Sequence, residues 1–437
     1  MPNKTPIISL ATQRFKSAQA IKTTDLPPHS LLWGEVAKMH HDFILSCETE
    51  EQAITFAQKS NYYDHRIKKH RPSFIYQYFE NVIYNMHPSK RDELPAYAET
   101  PVSSLGSVKL HNPMYKNTRL VSTSLYIHTS FILSCLEYKK NITRVCELGG
   151  GYGDIARLWM TTPSTPANFH MIVDLPESLF FAEVFLQIVL PKVKLFYLTS
   201  EKDADAAAAE KGPVIVLCPV QLRHLSKRFE IDIVINTLSL GEMTQEWVNF
   251  WSVWLNEQKA DTFYSSNAFG MELDRMFECE SWLSPTVTDN WIMTKYSLDH
   301  PYQVFWAEYT RRYAEIFFER TKDGKARTQT LKTFSDMREN TKFTINDILY
   351  CVYNLGNTVD VALEVKLVNK FLSDMTYIPK ELYFWSKRIL DSAEFKKTSP
   401  EIQKSMNAAF AKQDKLFKDQ EPNVLFSNEK TISENLN

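Results

Sequence analysis

No charge of one sign dominates this chain. Its 437 residues carry 50 Lys and Arg against 52 Asp and Glu, a net charge of −2, so no basic field gathers nucleic acid and nucleic acid is disfavoured as a partner. Metal-spaced cysteine is lacking too. Cys47, Cys135, Cys146, Cys218, Cys279 and Cys351 lie far apart, with no C-x-x-C pair or Cys/His cluster, which leaves no metal to assign and reads as reduced intracellular thiols. Long apolar runs are also missing: the longest, residues 179–190, contains Glu183 and falls short of the ~20 residues a bilayer crossing needs. Residues 1–26 have no apolar core of signal-peptide length, and no repeat period suggests a solenoid. The expectation is a soluble, cytoplasmic protein without a membrane span.

What is present is one organising stretch, Arg144-Val145-Cys146-Glu147-Leu148-Gly149-Gly150-Gly151-Tyr152-Gly153-Asp154. An apolar run ends in an acid, glycines follow at alternate positions and an amphipathic segment starts at once, which reads as strand, tight turn, helix. Glycine permits positive φ and close approach to a ligand, and the N-terminus of the helix suits an anion. A dinucleotide fingerprint, Gly-x-Gly-x-x-Gly from Gly149, requires glycine at 154 and meets Asp154. A second short apolar strand, His170 to Val173, ends in Asp174, 21 residues beyond Gly153. That is close to the ~20-residue interval at which βαβ units place a carboxylate for ribose hydroxyls.

The rest of the chain frames this unit. Residues 1–29 read as a flexible leader closing at Pro27-Pro28, and 30–140 as a mainly helical domain ending in an apolar helix over 123–138. Strand patterns at 143–148, 169–174, 193–198, 213–218, 231–236, 260–265 and 302–310 alternate with helices over 141–312. Continuous apolar runs such as Val214 to Cys218 suit strands covered on both faces, so an α/β, doubly wound, mostly parallel sheet is expected. Whether 193–198 or 213–218 is the third core strand stays open. Residues 313–418 read as a helical C-terminal region and 419–437 as a flexible tail.

The acid-x-Gly-x-Gly-x-Gly pattern of Glu147 to Gly153 resembles the first motif of class I S-adenosylmethionine-dependent methyltransferases. With Asp174-Leu175-Pro176-Glu177, Asn236-Thr237-Leu238-Ser239-Leu240-Gly241-Glu242-Met243, Tyr264-Ser265-Ser266-Asn267 and Glu308-Tyr309-Thr310-Arg311-Arg312, residues from about 120 to 312 are similar to a family of sugar O-methyltransferases of bacterial polysaccharide biosynthesis. The resemblance implies a Rossmann-like, seven-stranded methyltransferase sheet and S-adenosyl-L-methionine as cofactor. It puts Glu147 near the methionine ammonium, Gly149, Gly150, Gly151, Tyr152 and Gly153 beneath the cofactor, and Asp174 with Leu175 at the ribose. At the third strand end, where the family commonly has an acid near adenine, this chain has Pro219-Val220-Gln221, and Gln221 offers an amide instead.

Methyl transfer to a hydroxyl needs alignment, a water-poor cleft and a base. Glu242, six residues after Asn236 in the loop beyond strand 231–236, is the first candidate base, against a helix-capping role; His300 is the second, and His128 and His224 are ambiguous. Asn236 and Asn267 stand at strand ends where apolar residues would otherwise lie, and are expected to touch cofactor and acceptor respectively. Arg312 is expected to grip an acidic group on the acceptor. No metal is expected. The acceptor is read as a small molecule or glycan precursor, with a phenolic metabolite or a non-catalytic scaffold as alternatives, and the flanking helices as a lid or homodimer contact.

Overall fold

The computed structural model describes residues 4–23, 25–29, 31–59, 73–100, 108–112, 117–162, 167–268, 290–297, 313–321 and 395–420, with single positions at 329, 365, 386, 387 and 389–391. Helices α1 (Pro6–Gln19), α2 (Leu31–Ser46), α3 (Glu50–Lys59) and α4 (Ser73–Met86) come first, then an antiparallel hairpin, β1 (Val108–Asn112) and β2 (Asn117–Val121), and α5 (Thr123–Tyr138). Ser122 caps α5 by accepting the amide of Leu125 at 3.0 Å, which starts the helix where the sequence pattern placed it.

Alternation then sets in: β3 (Arg144–Leu148), α6 (Asp154–Thr161), β4 (Phe169–Asp174), α7 (Pro176–Val189), β5 (Lys194–Tyr197), α8 (Glu201–Ala209), β6 (Val214–Pro219), β7 (Ile233–Thr237), α9 (Gln245–Glu257), β8 (Thr262–Ala268), β9 (Trp291–Ser297) and β10 (Tyr313–Arg320). They form one sheet of eight strands in the order β5-β6-β4-β3-β7-β8-β10-β9. The pairs from β5 to β8 are parallel, and β10 runs antiparallel to β8. This is the expected α/β, doubly wound architecture. β5, expected over 193–198, lies at the edge, and β6 is the strand beside β4, which answers the question of the third core strand; β9 and β10 are the strands that the sequence pattern did not place.

Apolar residues cover both faces. On one, Phe131, Ile132, Leu158 and Trp159 of α5 and α6 pack with Val145, Ile233 and Ile235; on the other, Phe180, Val184 and Phe185 of α7 pack with Ile172, Ile215 and Leu217. Such double burial explains the unbroken apolar strands.

Several expectations fail for identifiable reasons. Residues 6–19 are no flexible leader: Ile8, Ala11, Phe15 and Ala18 form one buried stripe on α1 in the cluster of α7. Burial of Ile8 and Phe15 contributes about 1.5–3 kcal/mol each. No unit boundary falls near 140, since the chain divides into residues 1–282 with 295–320 and residues 283–294 with 321–437. The stretch 30–140 also contains the β1–β2 hairpin. Residues 313–320, assigned to a helical region, form β10, where Ile316, Phe317 and Phe318 are fully buried. β9 escaped notice because Lys295 interrupts its apolar pattern, and the strand expected at 302–310 lies outside the described residues. In the second unit the helix Pro400–Gln420 buries Met406. No helix among the described residues is long and apolar enough to cross a membrane.

Candidate active site

The strand order reverses at β3, with β4 to one side and β7 to the other, and an open α/β sheet leaves a crevice outside the strand ends at such a point. Leu148, Asp174, Pro219 and Thr237 end the four strands that surround it. Gly149, Gly151 and Gly153 take φ of +72°, +55° and +91° as the chain turns from β3 into α6, a region that costs an L-residue with a Cβ about 1–2 kcal/mol. The turn is tied down by Gly149 N–H to the Val173 carbonyl at 2.9 Å and Gly153 N–H to the Gly150 carbonyl at 3.0 Å. Protein neighbours, rather than a ligand alone, demand glycine here. A Cβ on Gly149 would lie 2.4 Å from Ser239 Oγ, and one on Gly153 would lie 2.9 Å from a Leu186 methyl.

Asp174 closes the turn from the β4 side. Its Oδ2 accepts the Gly151 amide at 3.0 Å and its Oδ1 accepts the Leu175 amide at 2.7 Å. Burial raises its pKa to about 7, against the two amides and the Ser178 hydroxyl, and the nearby Glu147 charge adds to the rise. A half-buried carboxyl that titrates near neutrality at a strand-end crevice is a functional-site signature. Leu175, half-buried, leads straight into α7.

Glu147 is not turned toward the crevice. Its side chain is 2% exposed, Oε2 pairs with His170 Nε2 at 3.0 Å, and a Cβ on Gly150 would sit 3.0 Å from it. The carboxylate therefore underpins the glycine turn. Tyr152 is likewise buried, edge-to-face with Phe185 of α7 at 5.1 Å, and belongs to the core. Pro219 ends β6, Val220 is buried, and Gln221 beside them is half-buried with an Oε1 that is shut from solvent and meets no partner.

Asn236 and Asn267 also differ from expectation. Asn236, fully buried, donates to the Leu148 carbonyl at 2.8 Å and to Ser239 Oγ at 2.6 Å, and its Oδ1 accepts from Asn267 Nδ2 at 2.9 Å and from the Leu240 amide at 3.3 Å. Asn267 donates also to Ser265 Oγ at 2.7 Å and accepts the Gly241 amide at 3.3 Å. Asn236 thus uses both donors and both acceptor sites of its amide, and Asn267 uses both donors and one acceptor site. They hold the loop 238–242 over Gly149, because the parallel register of β7 and β8 sets Asn236 opposite Ser265. In that loop Leu238 takes φ +64°, a strain of about 1–3 kcal/mol of the sort that clusters at active sites. Glu242 ends the following 3-10 turn, half-buried. It does not cap α9, whose N-cap is Thr244 accepting from Trp247. His300 and Arg312 lie outside the described residues.

One charged group beside the turn was not anticipated. Asp154, the first residue of α6, is 2% exposed; Oδ1 accepts Arg157 Nε at 2.6 Å and Oδ2 meets His128 Nδ1 at 2.7 Å. Arg157 continues to the Ala98 carbonyl at 2.9 Å and to Glu99 at 3.4 Å. Its only sequence trace is an acid and an arginine three apart at a helix start.

No family model matches the chain, and no curated protein does. Solved structures similar to it include a magnesium protoporphyrin IX methyltransferase from Synechocystis with bound S-adenosylhomocysteine, at 12% identity over 55% of this chain and 99% of that one, TM-score 0.31. Another is TrmK of M. capricolum with the cofactor product S-adenosylhomocysteine, at 12% identity over 64% of this chain and 95% of that one, TM-score 0.28. A third is the 16S rRNA methylase ArmA, at 10% identity over 56% of this chain and 98% of that one, TM-score 0.28. At these TM-scores the likenesses carry nothing further, and function rests on the residues of the crevice.

Proposed function

We propose that the protein is an S-adenosyl-L-methionine-dependent O-methyltransferase whose acceptor is a hydroxyl of a sugar or glycan precursor. The observation that carries this is Asp174, a carboxyl in close register with a positive-φ glycine turn at the strand-order reversal. The residues present fit the cofactor. Gly151 opens the turn, Asp174 keeps lone pairs for the ribose hydroxyls, and the unpartnered Oε1 of Gln221 suits an exocyclic amine. When bound, the cofactor supplies an electrophilic methyl group.

The chain's own work is positioning. The Asn236–Asn267 pair fixes the loop that carries Glu242 and Ser239 beside the turn, and Glu242 is placed to orient the acceptor. Arg312, and His300 as a second candidate base, are carried over from the family resemblance. Balanced charge favours a small or glycan acceptor over nucleic acid, and the proposal includes a cytoplasmic enzyme, with a homodimer contact through its helical flanks.

Calorimetry with S-adenosylmethionine and S-adenosylhomocysteine tests the reading: both bind the wild type, and Gly151→Trp abolishes the heat while leaving the far-ultraviolet spectrum intact. No heat at millimolar ligand rejects it. Labelled methyl transfer to nucleotide sugars and to phenols then separates the acceptor classes.

A further inference from the structure

We propose that His128 and Asp154 form the proton-accepting dyad of the site, with His128 Nε2 the atom that takes the acceptor's proton. The proposal rests on the methyl-transfer reading above. The pair is built asymmetrically. Asp154 is sealed, its carboxylate spanned by Arg157 Nε at 2.6 Å and His128 Nδ1 at 2.7 Å, whereas the His128 side chain is 18% exposed. Nδ1 is committed to Asp154, and Nε2 has no hydrogen-bond partner among the described residues. Nε2 reaches solvent, unlike the polar atoms buried without a partner elsewhere in the protein. An imidazole that donates from Nδ1 to a fixed carboxylate holds the tautomer whose Nε2 lone pair points outward, the arrangement of a general base.

Burial opposes charge on Asp154, yet Arg157 and His128 outweigh it and hold the carboxyl well below the usual range. The carboxylate thus stays ionised and stabilises an imidazolium as it forms. Arg157 is itself anchored by the Ala98 carbonyl and Glu99, and Glu99 accepts from Ser122, the cap of α5. Both ends of the dyad are therefore fixed to the helices that flank the turn. Asp154 directly follows Gly153, which puts the imidazole beside the glycine turn.

A comparison within the molecule separates this pair from a structural one. His170 and Glu147 make the same kind of contact at 3.0 Å, but both are closed to solvent and the spare His170 Nδ1 is buried without a partner. Of these two pairs, the His128 pair is the one that keeps a nitrogen open. In the step, His128 Nε2 takes the hydroxyl proton while the acceptor oxygen forms a bond to the methyl carbon. The carbon–sulfur bond breaks with its electron pair going to sulfur, leaving a neutral thioether, and charge moves from sulfonium to imidazolium.

Nitrogen-15 NMR of the histidine-labelled full chain tests this without an acceptor, with the His128 signal assigned by His128→Gln. The ligand-free protein should show the Nδ1–H tautomer. S-adenosylmethionine and S-adenosylhomocysteine, each saturating, differ by the methyl group and its sulfonium charge; Asp154 against the ring, and Arg157 and Glu99 behind it, are common to both titrations. A base that faces the methyl group should titrate about one unit lower with the sulfonium ligand, while His111 should not respond. An Nε2–H tautomer, or equal titration in the two complexes, overturns the proposal; failure of either ligand to bind overturns the methyltransferase reading instead. With an accepted substrate, His128→Gln should keep cofactor affinity and lower kcat about 100-fold or more, and imidazole should partly rescue His128→Ala. Full activity in His128→Gln refutes the dyad.

Discussion

Asp174→Asn removes a charge but almost no volume, and the structure specifies its effect at each pH. The carboxyl has a pKa raised to about 7. At pH 8.5 it is ionised and, in the proposed complex, accepts ribose hydroxyls as a charged partner; at pH 5.5 it is neutral. Charged hydrogen bonds contribute about 1.5–3 kcal/mol against about 0.5–1.5 for neutral ones, so two ribose hydroxyls lose roughly 2–3 kcal/mol in the variant at the higher pH. S-adenosylhomocysteine should bind the variant roughly 30- to 150-fold more weakly at pH 8.5 and within a few-fold of wild type at pH 5.5. The ratio of variant to wild type cancels titration of the ligand itself.

Stability carries an independent signature of the same group. A folded-state pKa raised above the unfolded value gives stability that is greatest below about pH 4 and is lost as pH rises through about 7, at about 1.4 kcal/mol per unit. Both Asp174 oxygens accept backbone amides, so an asparagine must set its NH2 against one of them, at a cost of about 1–3 kcal/mol. The variant should be the less stable protein at pH 5.5, and the gap should narrow by about 2 kcal/mol by pH 8.5. Calorimetric affinity and urea unfolding at the two pH values check both statements. An affinity ratio that is the same at pH 5.5 and 8.5 refutes the assignment of Asp174 to the ribose.

Three further changes probe the scaffold. Gly149→Ala should cost about 2–3 kcal/mol in urea unfolding, part from positive φ and part from Ser239; in a Ser239→Gly background, already lacking the Asn236 bond, the same substitution should cost the positive-φ part alone. Asn236→Leu strands the Leu148 carbonyl, the Leu240 amide and the Asn267 amide, and should lower stability by about 3 kcal/mol or more by the same assay. Arg14→Met leaves Glu183, whose side chain is fully buried, without its cation, at a cost of about 3 kcal/mol. Burial already raises the Glu183 pKa, so the Arg14 defect should be larger at pH 8 than at pH 5 in thermal melts.

Much of the centre was legible because its signals are local. The apolar run ending at Leu148, the glycines that follow and the acid at 174 are set by backbone conformation and a single helix crossing, and each lies where its spacing placed it. The roles of the polar residues were less legible. Asn236 and Asn267 read as ligand contacts, yet they bond to one another across the β7–β8 register, and no sequence window contains both partners. The His170 partner of Glu147 was hidden for the same reason, since it stands on the neighbouring strand. Leu238 left no signal at all, since leucine is not a residue that announces a positive φ. Helix α1 was missed although its stripe is present, because the face that receives it belongs to α7, 160 and more residues along the chain.

By itself, then, the sequence determined where backbone must turn, which runs are covered on two faces, and that an acid meets the glycine turn from the next strand. Only the tertiary structure decided which polar side chains are used up inside the protein and which keep an open atom. Periodicity and φ preferences act over a few residues, whereas hydrogen-bond capacity is consumed by partners far away in the chain. That is why Asn236 became scaffold, why Glu147 turned inward, and why His128 emerged beside Asp154 with one nitrogen to spare.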